Sequence, residues 1–154
     1  MVSEDLYQEI ILDHYKNPRG VGSLDHALAE SHQVNPTCGD EVTVWVGEKP
    51  DGALEVAYSG QGCSISQASA SVMSELVAGK DAATVDELEK AFMELMQSKG
   101  SLEPDEEVLE DAIAFAGVSK YPARIKCALI SWMALKDARM KAGLTSTSSQ
   151  EGNN

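Results

Sequence analysis

The sequence predicts an α+β fold, a small antiparallel sheet with helices packed on one face, as a single domain over residues 1–144. Three observations predict it. A helical pattern opens the chain, two period-two runs joined by a turn follow, and the remainder reads as helix. Strands and helices are grouped along the chain rather than alternating, which argues against a parallel α/β design. At 154 residues, 43% of them hydrophobic, the chain is the size of one ordinary domain with its own core.

Each element has a local cause. "SEDLYQEIILDHYKN" sets Leu6, Ile10, Ile11 and His14 at helical spacing behind an acidic first turn, and "NPRG" ends the helix. Residues 28–35 read as a weak edge strand. "EVTVWV" alternates, with Val42, Val44 and Val46 on one face and Thr43 and Trp45 on the other. "KPDG" turns the chain, and "ALEVAYS" returns with Leu54, Val56 and Tyr58 on one face. Ser64 with Gln67 makes a capping box for a helix running to Gly79. Thr84 with Glu87 repeats the device for a helix ending near Gly100. A third helix is expected from about Pro104 to Gly117. The last carries Pro122 in its first turn and runs to Gly143. "TSTSSQEGNN", residues 145–154, reads as a disordered polar tail.

Charge narrows the partners. Twelve Lys and Arg stand against 25 Asp and Glu, a net charge of −13. Such a chain repels phosphate backbones and anionic lipid, so neither nucleic acid nor membrane is expected as a partner. "MVSEDLYQEI" lacks the basic and apolar regions of a signal peptide, and "CALISWMAL" is too short to span a bilayer. A soluble, cytoplasmic protein is the expectation.

Three cysteines, Cys38, Cys63 and Cys127, are too few and too widely spaced for a disulfide framework. On count alone they read as small buried hydrophobes. Their neighbourhoods argue otherwise. In "NPTCGDEVTVWV", Cys38 and Asp40 share strand parity, so both project from one face about 6–7 Å apart. One metal ion bridges such a gap. In "SGQGCSIS", Gly60 and Gly62 turn the chain out of the returning strand, and Cys63 lies one residue before the expected cap, where a helix dipole favours thiolate. Hairpin pairing brings this turn beside Cys38 and Asp40. Cys127 lies in the second turn of the last helix, in "KYPARIKCALISW", among Lys120, Arg124 and Lys126. These bases oppose the helix dipole; stabilising thiolates or meeting an acidic partner would account for them, as would a solvated face. Packing that helix start over the sheet end makes a Cys₃Asp site of tetrahedral type. It suits zinc, and a labile iron–sulfur cluster is chemically reasonable too. His14, His26 and His32 read as structural or surface residues.

"DHYKNPRG", "NPTCGDEVTVWV", "GCSISQASASVM" and "RIKCALISW" resemble, in order, blocks of the U-type iron–sulfur cluster assembly family, and within it the SufU branch. The resemblance implies Cys38, Asp40, Cys63 and Cys127 as metal-site residues. It implies a partner, the PLP-dependent cysteine desulfurase SufS, and a zinc-binding sulfur acceptor that relays sulfur toward a SufB-containing scaffold complex. The related IscU branch instead builds 2Fe–2S clusters on itself. That branch carries a histidine before its third cysteine, where this chain has Lys126, a poor ligand when cationic. Residues 81–111 add a strongly acidic segment between Cys63 and Cys127, with eleven acids and two bases. Both features favour sulfur relay over scaffold. Cys38, following a loop and preceding Gly39, is the expected sulfur-accepting, catalytic thiol; Arg124 and Lys126 are candidates for partner docking. A cluster scaffold and a structural zinc adaptor for the desulfurase are the alternatives.

Overall fold

The computed structural model describes residues 4–37 and 39–146. In chain order its elements are α1 (Glu4–Lys16), β1 (Ala29–Asn35), β2 (Asp40–Glu48), β3 (Leu54–Gln61), α2 (Ser64–Val77), α3 (Ala82–Gln97), α4 (Glu106–Leu109) and α5 (Pro122–Ala142). Two 3₁₀ segments, Glu110–Ala116 and Val118–Lys120, join α4 to α5.

The sheet has the order β1-β2-β3 and is antiparallel throughout. Alternation in β2 decides how it lies. Val42, Val44 and Val46 are buried while Thr43 and Trp45 are half-buried, so one face meets the core. Leu54 and Tyr58 of β3 join that face. α5 packs against β1 and β2, and α2 against β3, so helices cover one side as expected. The turn between β2 and β3 closes with the Gly52 N–H donating to the Lys49 carbonyl at 2.8 Å.

The helices depart from expectation in three places. In α1 the inward residues are Tyr7, Ile11 and His14, whereas Leu6 faces solvent. The partner helix chooses between these neighbouring stripes, and spacing alone does not. α3 is capped by Asp81, whose carboxylate accepts from the Thr84 N–H at 2.8 Å, so the helix begins at Ala82 and not at Thr84. The expected third helix is broken after Leu109: Glu110 has φ 47°, and a 3₁₀ coil follows. Ala112, Ile113, Ala114 and Phe115 are all buried, and four consecutive buried residues do not fit a one-faced α-helix. α5 ends as expected, on Gly143 at φ 71°, with the Leu144 N–H donating to the Arg139 carbonyl at 2.8 Å.

α2 is the hub. Ser66, Ala68, Ser69, Ala70, Ser71 and Ser74 are all buried on it, and these small side chains let α1 and α5 approach closely. The Ser69 hydroxyl donates to the Ala128 carbonyl at 2.6 Å, fastening α5 to α2 one residue beyond Cys127. His14 ties α1 to the same helix, with Nδ1 2.8 Å from Ser71 Oγ and Nε2 2.9 Å from Asp111 Oδ2. Phe92 stacks on Trp132 with ring centroids 4.5 Å apart, joining α3 to α5. Among the described residues, no helix is long and apolar enough to cross a membrane.

Arg139 is fully buried. Its guanidinium lies 2.9 Å from carboxylate oxygens of both Asp86 and Glu89, and it donates to the carbonyls of Ala82 and Leu144. Ser146 donates its amide to the same Asp86; residues 147–154 of the polar tail lie outside the described residues. Burial raises the Glu89 carboxyl and Arg139 pulls it back down. Arg139→Ala is therefore expected to cost about 3–5 kcal/mol at neutral pH, because it leaves two partly buried carboxylates without their buried cation. Glu89 then titrates from a still higher value. A raised folded-state pKa favours the fold below the unfolded value and loses that contribution as pH rises through the folded one. The penalty should shrink toward pH 4 and grow toward neutrality in denaturant titrations. A pH-independent penalty would contradict it.

Candidate metal centre

Three of the four sequence-predicted ligands come together. Asp40, Cys63 and Cys127 each offer a ligand atom, and these atoms all lie within 4.8 Å of one another. Cys38 lies outside the described residues.

Asp40 is the first residue of β2 and is fully buried. Register brings it to Cys63. Glu41 pairs with Gln61, so Asp40 meets the chain just where β3 hands over to α2. The Cys63 N–H donates to Asp40 Oδ1 at 2.9 Å, and Cys63 Sγ lies 4.0 Å from Oδ2. Glycine is required between the two strands' ends. A Cβ on Gly62, at φ 156°, would sit 2.2 Å from Asp40 Oδ1, and one on Gly60 would sit 2.3 Å from the Glu41 carbonyl oxygen.

Cys38 lies outside the described residues, so the parity it was expected to share with Asp40 is seen only from the Asp40 side. β2 opens at Asp40, Asn35 pairs with Asp40, and Gly39 has φ 73°, so the backbone is not extended through residue 39. Hairpin pairing, not parity, places the carboxylate.

Cys63 itself is the N-cap of α2. Its backbone is extended, its carbonyl accepts from the Gln67 N–H at 3.1 Å, and its sulfur accepts from the Ser66 N–H at 3.5 Å. The expected cap, Ser64, is one residue too late. Gln67, with its amide oxygen turned to the loop, accepts from the Gly62 N–H at 3.1 Å, so it braces the turn and not the helix start. A thiol in the N-cap position is held in place by the backbone geometry of the helix start.

Cys127 is buried in the second turn of α5, with Sγ 3.7 Å from the Ala123 carbonyl oxygen. What brings it beside Cys63 is the Ser69–Ala128 bond, which sequence reading missed. Arg124 and Lys126 are exposed, and the Arg124 guanidinium lies 5.7 Å from the centre of the Tyr121 ring. His26 and His32 are exposed. His14 belongs to a second convergent group with Glu75 and Asp111, and both its nitrogens are engaged by Ser71 and Asp111.

The donor set can be tested for fit to a metal. A fully buried carboxylate is costly unless its charge is paired. Among the described residues, no Lys, Arg or His side chain comes within ion-pairing distance of Asp40. Its Oδ1 takes the protein donors, while Oδ2 is turned toward Cys63 Sγ. Two sulfurs and one carboxylate oxygen around one point are a soft, anionic set, the kind zinc and iron–sulfur clusters accept.

Comparison with known proteins agrees. Residues 6–128 match the family described as the NifU-like N-terminal domain. The zinc-dependent sulfurtransferase SufU of Bacillus subtilis is 44% identical over 86% of this chain and 88% of that protein. The iron–sulfur cluster assembly scaffold protein IscU of Streptococcus pyogenes is 38% identical over 97% and 94%. The crystal structure of a putative iron–sulfur cluster assembly scaffold protein for the SUF system, FiSufU from Fervidobacterium islandicum, superposes with a TM-score of 0.76 at 36% identity, over 89% of this chain and 98% of that one.

Proposed function

We propose a function from one premise: this chain belongs to the family of the NifU-like N-terminal domain. It acts as a zinc-dependent sulfur acceptor that takes persulfide sulfur from a cysteine desulfurase and relays it for iron–sulfur cluster assembly. The observation that carries this reading is the convergence of Asp40, Cys63 and Cys127 on one point, with Lys126 and not histidine before Cys127.

Cys38, Asp40, Cys63 and Cys127 would hold the zinc. When bound, zinc keeps thiols deprotonated at neutral pH and undergoes no redox change of its own. The chain's residues do the rest. Cys63 is exposed but fixed as an N-cap, and Cys127 is buried, so both sulfurs are anchored by the helices that carry them. Cys38 is the acceptor. Its thiolate attacks the terminal sulfur of the donor's persulfide; a new S–S bond forms on Cys38, the donor's S–S bond breaks, and the donor cysteine departs as thiolate. No net oxidation occurs.

The donor in this reading is SufS, and the onward recipient is the SufB-containing scaffold complex. Arg124 and Lys126 stand on the surface flanking Cys127, where they suit an acidic docking face in an otherwise acidic protein. A charge of −13 argues against nucleic acid and membrane as partners, and the relay proposed here is placed in the cytoplasm.

The scaffold reading rests on the IscU relatives, because the same donor set suits a 2Fe–2S cluster. Metal analysis of protein purified without oxygen separates the two. About one zinc per chain and no visible absorption band is expected. Iron with visible absorption, together with no effect on desulfurase rate, would reverse the assignment in favour of a scaffold.

A further inference from the structure

Ser66 stands where the two ligand-bearing elements meet. It is the third residue of α2, it is buried, and its polar groups reach both candidate ligands. Its N–H donates to Cys63 Sγ, a contact that any residue at that position of a capped helix makes. Its hydroxyl does something particular. The oxygen lies 3.3 Å from Asp40 Oδ1 and 3.0 Å from the Cys63 carbonyl.

A serine hydroxyl has one hydrogen to give. Hydrogen bonds to an ionised carboxylate are roughly twice as strong as neutral ones, so an ionised Asp40 takes it in preference to the carbonyl. Oδ1 then has two donors, Ser66 Oγ and the Cys63 N–H at 2.9 Å, while Oδ2 faces the sulfur. Two donors on one oxygen break the symmetry of the carboxylate. Gly62 keeps the space open, since a Cβ there would fall 2.6 Å from Ser66 Oγ.

We infer that Ser66 is a positioning residue for Asp40: with the Cys63 amide it holds Oδ1 inward and presents Oδ2 to the metal. The inference rests on reading Asp40 as a metal ligand. Ser66 also contacts Cys63, its N–H donating to Sγ at 3.5 Å and its hydroxyl oxygen lying 3.8 Å from that sulfur, but in this role it acts through the carboxylate. Without the hydroxyl, Asp40 keeps one donor and is freer to turn.

The test is a double-mutant cycle on zinc affinity, measured against a chromogenic chelator. Ser66→Ala should loosen zinc about tenfold in the parent, the lower end of what losing an outer partner of a metal ligand costs. In an Asp40→Ala background the same change should cost less than about twofold, because the residue it positions is gone. Ser66→Thr, which keeps the hydroxyl, should restore binding. An equal loss in both backgrounds, or none in the parent, overturns the inference. Should Asp40→Ala itself leave zinc affinity unchanged, the reading of Asp40 as ligand fails, and Ser66 is then decided in the metal-free protein. There, amide exchange at Cys63 should quicken roughly threefold or more in Ser66→Ala as the carboxylate loosens. Unchanged exchange would overturn it.

Discussion

Zinc removal is expected to lower the melting temperature by roughly 8–16 °C while leaving the protein folded. An ion that binds only the native state stabilises it by mass action, about 4.1 kcal/mol when free zinc is a thousandfold above its Kd. For a domain of about 150 residues each kcal/mol moves the melting temperature by about 2–4 °C. A second cause acts in the same direction. Without a cation, a fully buried carboxylate and neighbouring thiols are crowded within 4.8 Å. The fold should survive because the core does not depend on the site. Val44, Val46, Phe92, Phe115 and Leu135 are fully buried around the sheet face and α5, away from the strand end that carries Asp40. Calorimetry before and after chelation, with zinc loss confirmed by elemental analysis, checks the expectation. An unchanged melting temperature would mean that nothing in the native state depends on the metal.

The parts of this molecule that local sequence determines were legible. The alternation of Val42, Val44 and Val46 gives the buried sheet face, and the "KPDG" turn gives the hairpin that brings Asp40 to Cys63. Pro122 and Gly143 bracket α5 within a residue. The misses share one cause, since each depends on a tertiary partner. Cys63 displaces Ser64 as cap because the turn out of β3 fixes its backbone as extended, and sulfur is not an ordinary capping atom. The 3₁₀ coil after Leu109 exists because Ala112 to Phe115 are enclosed on all sides, which periodicity cannot foresee. Arg139, of which the sequence pattern says nothing, is the buried partner of Asp86 and Glu89. In the site, residue types and the hairpin contact were legible, and the finer geometry was not. Hairpin pairing brings the Cys63 turn beside Asp40 as expected, while the serines that fix the finer contacts, Ser66 and Ser69, carry no signal apart from the fold.

Cys38→Ala is expected to abolish activation of the desulfurase, returning turnover to that of SufS alone. A desulfurase halts while its own cysteine carries persulfide, so an acceptor raises the rate only by unloading it. If Cys38 is where that sulfur goes, its removal leaves a protein that docks and does not accept. Mass spectrometry of the parent after reaction with SufS and cysteine should show one added sulfur on the peptide carrying Cys38 and none on those carrying Cys63 or Cys127. Docking has to be separated from chemistry. Arg124→Glu places an acid where an exposed base now stands, which should weaken association, raising the concentration needed for half-activation while the saturated rate persists. Cys38→Ala should do the reverse, binding SufS with near-parental affinity at a saturated rate no higher than background. Cys63 and Cys127 give the sharper contrast. A cap thiol and a buried thiol are both anchored by the helices that carry them, so their substitution should release zinc along with activity. A Cys38→Ala protein that still accelerates the desulfurase, or one that carries persulfide on Cys63, would move the acceptor into the anchored part of the site.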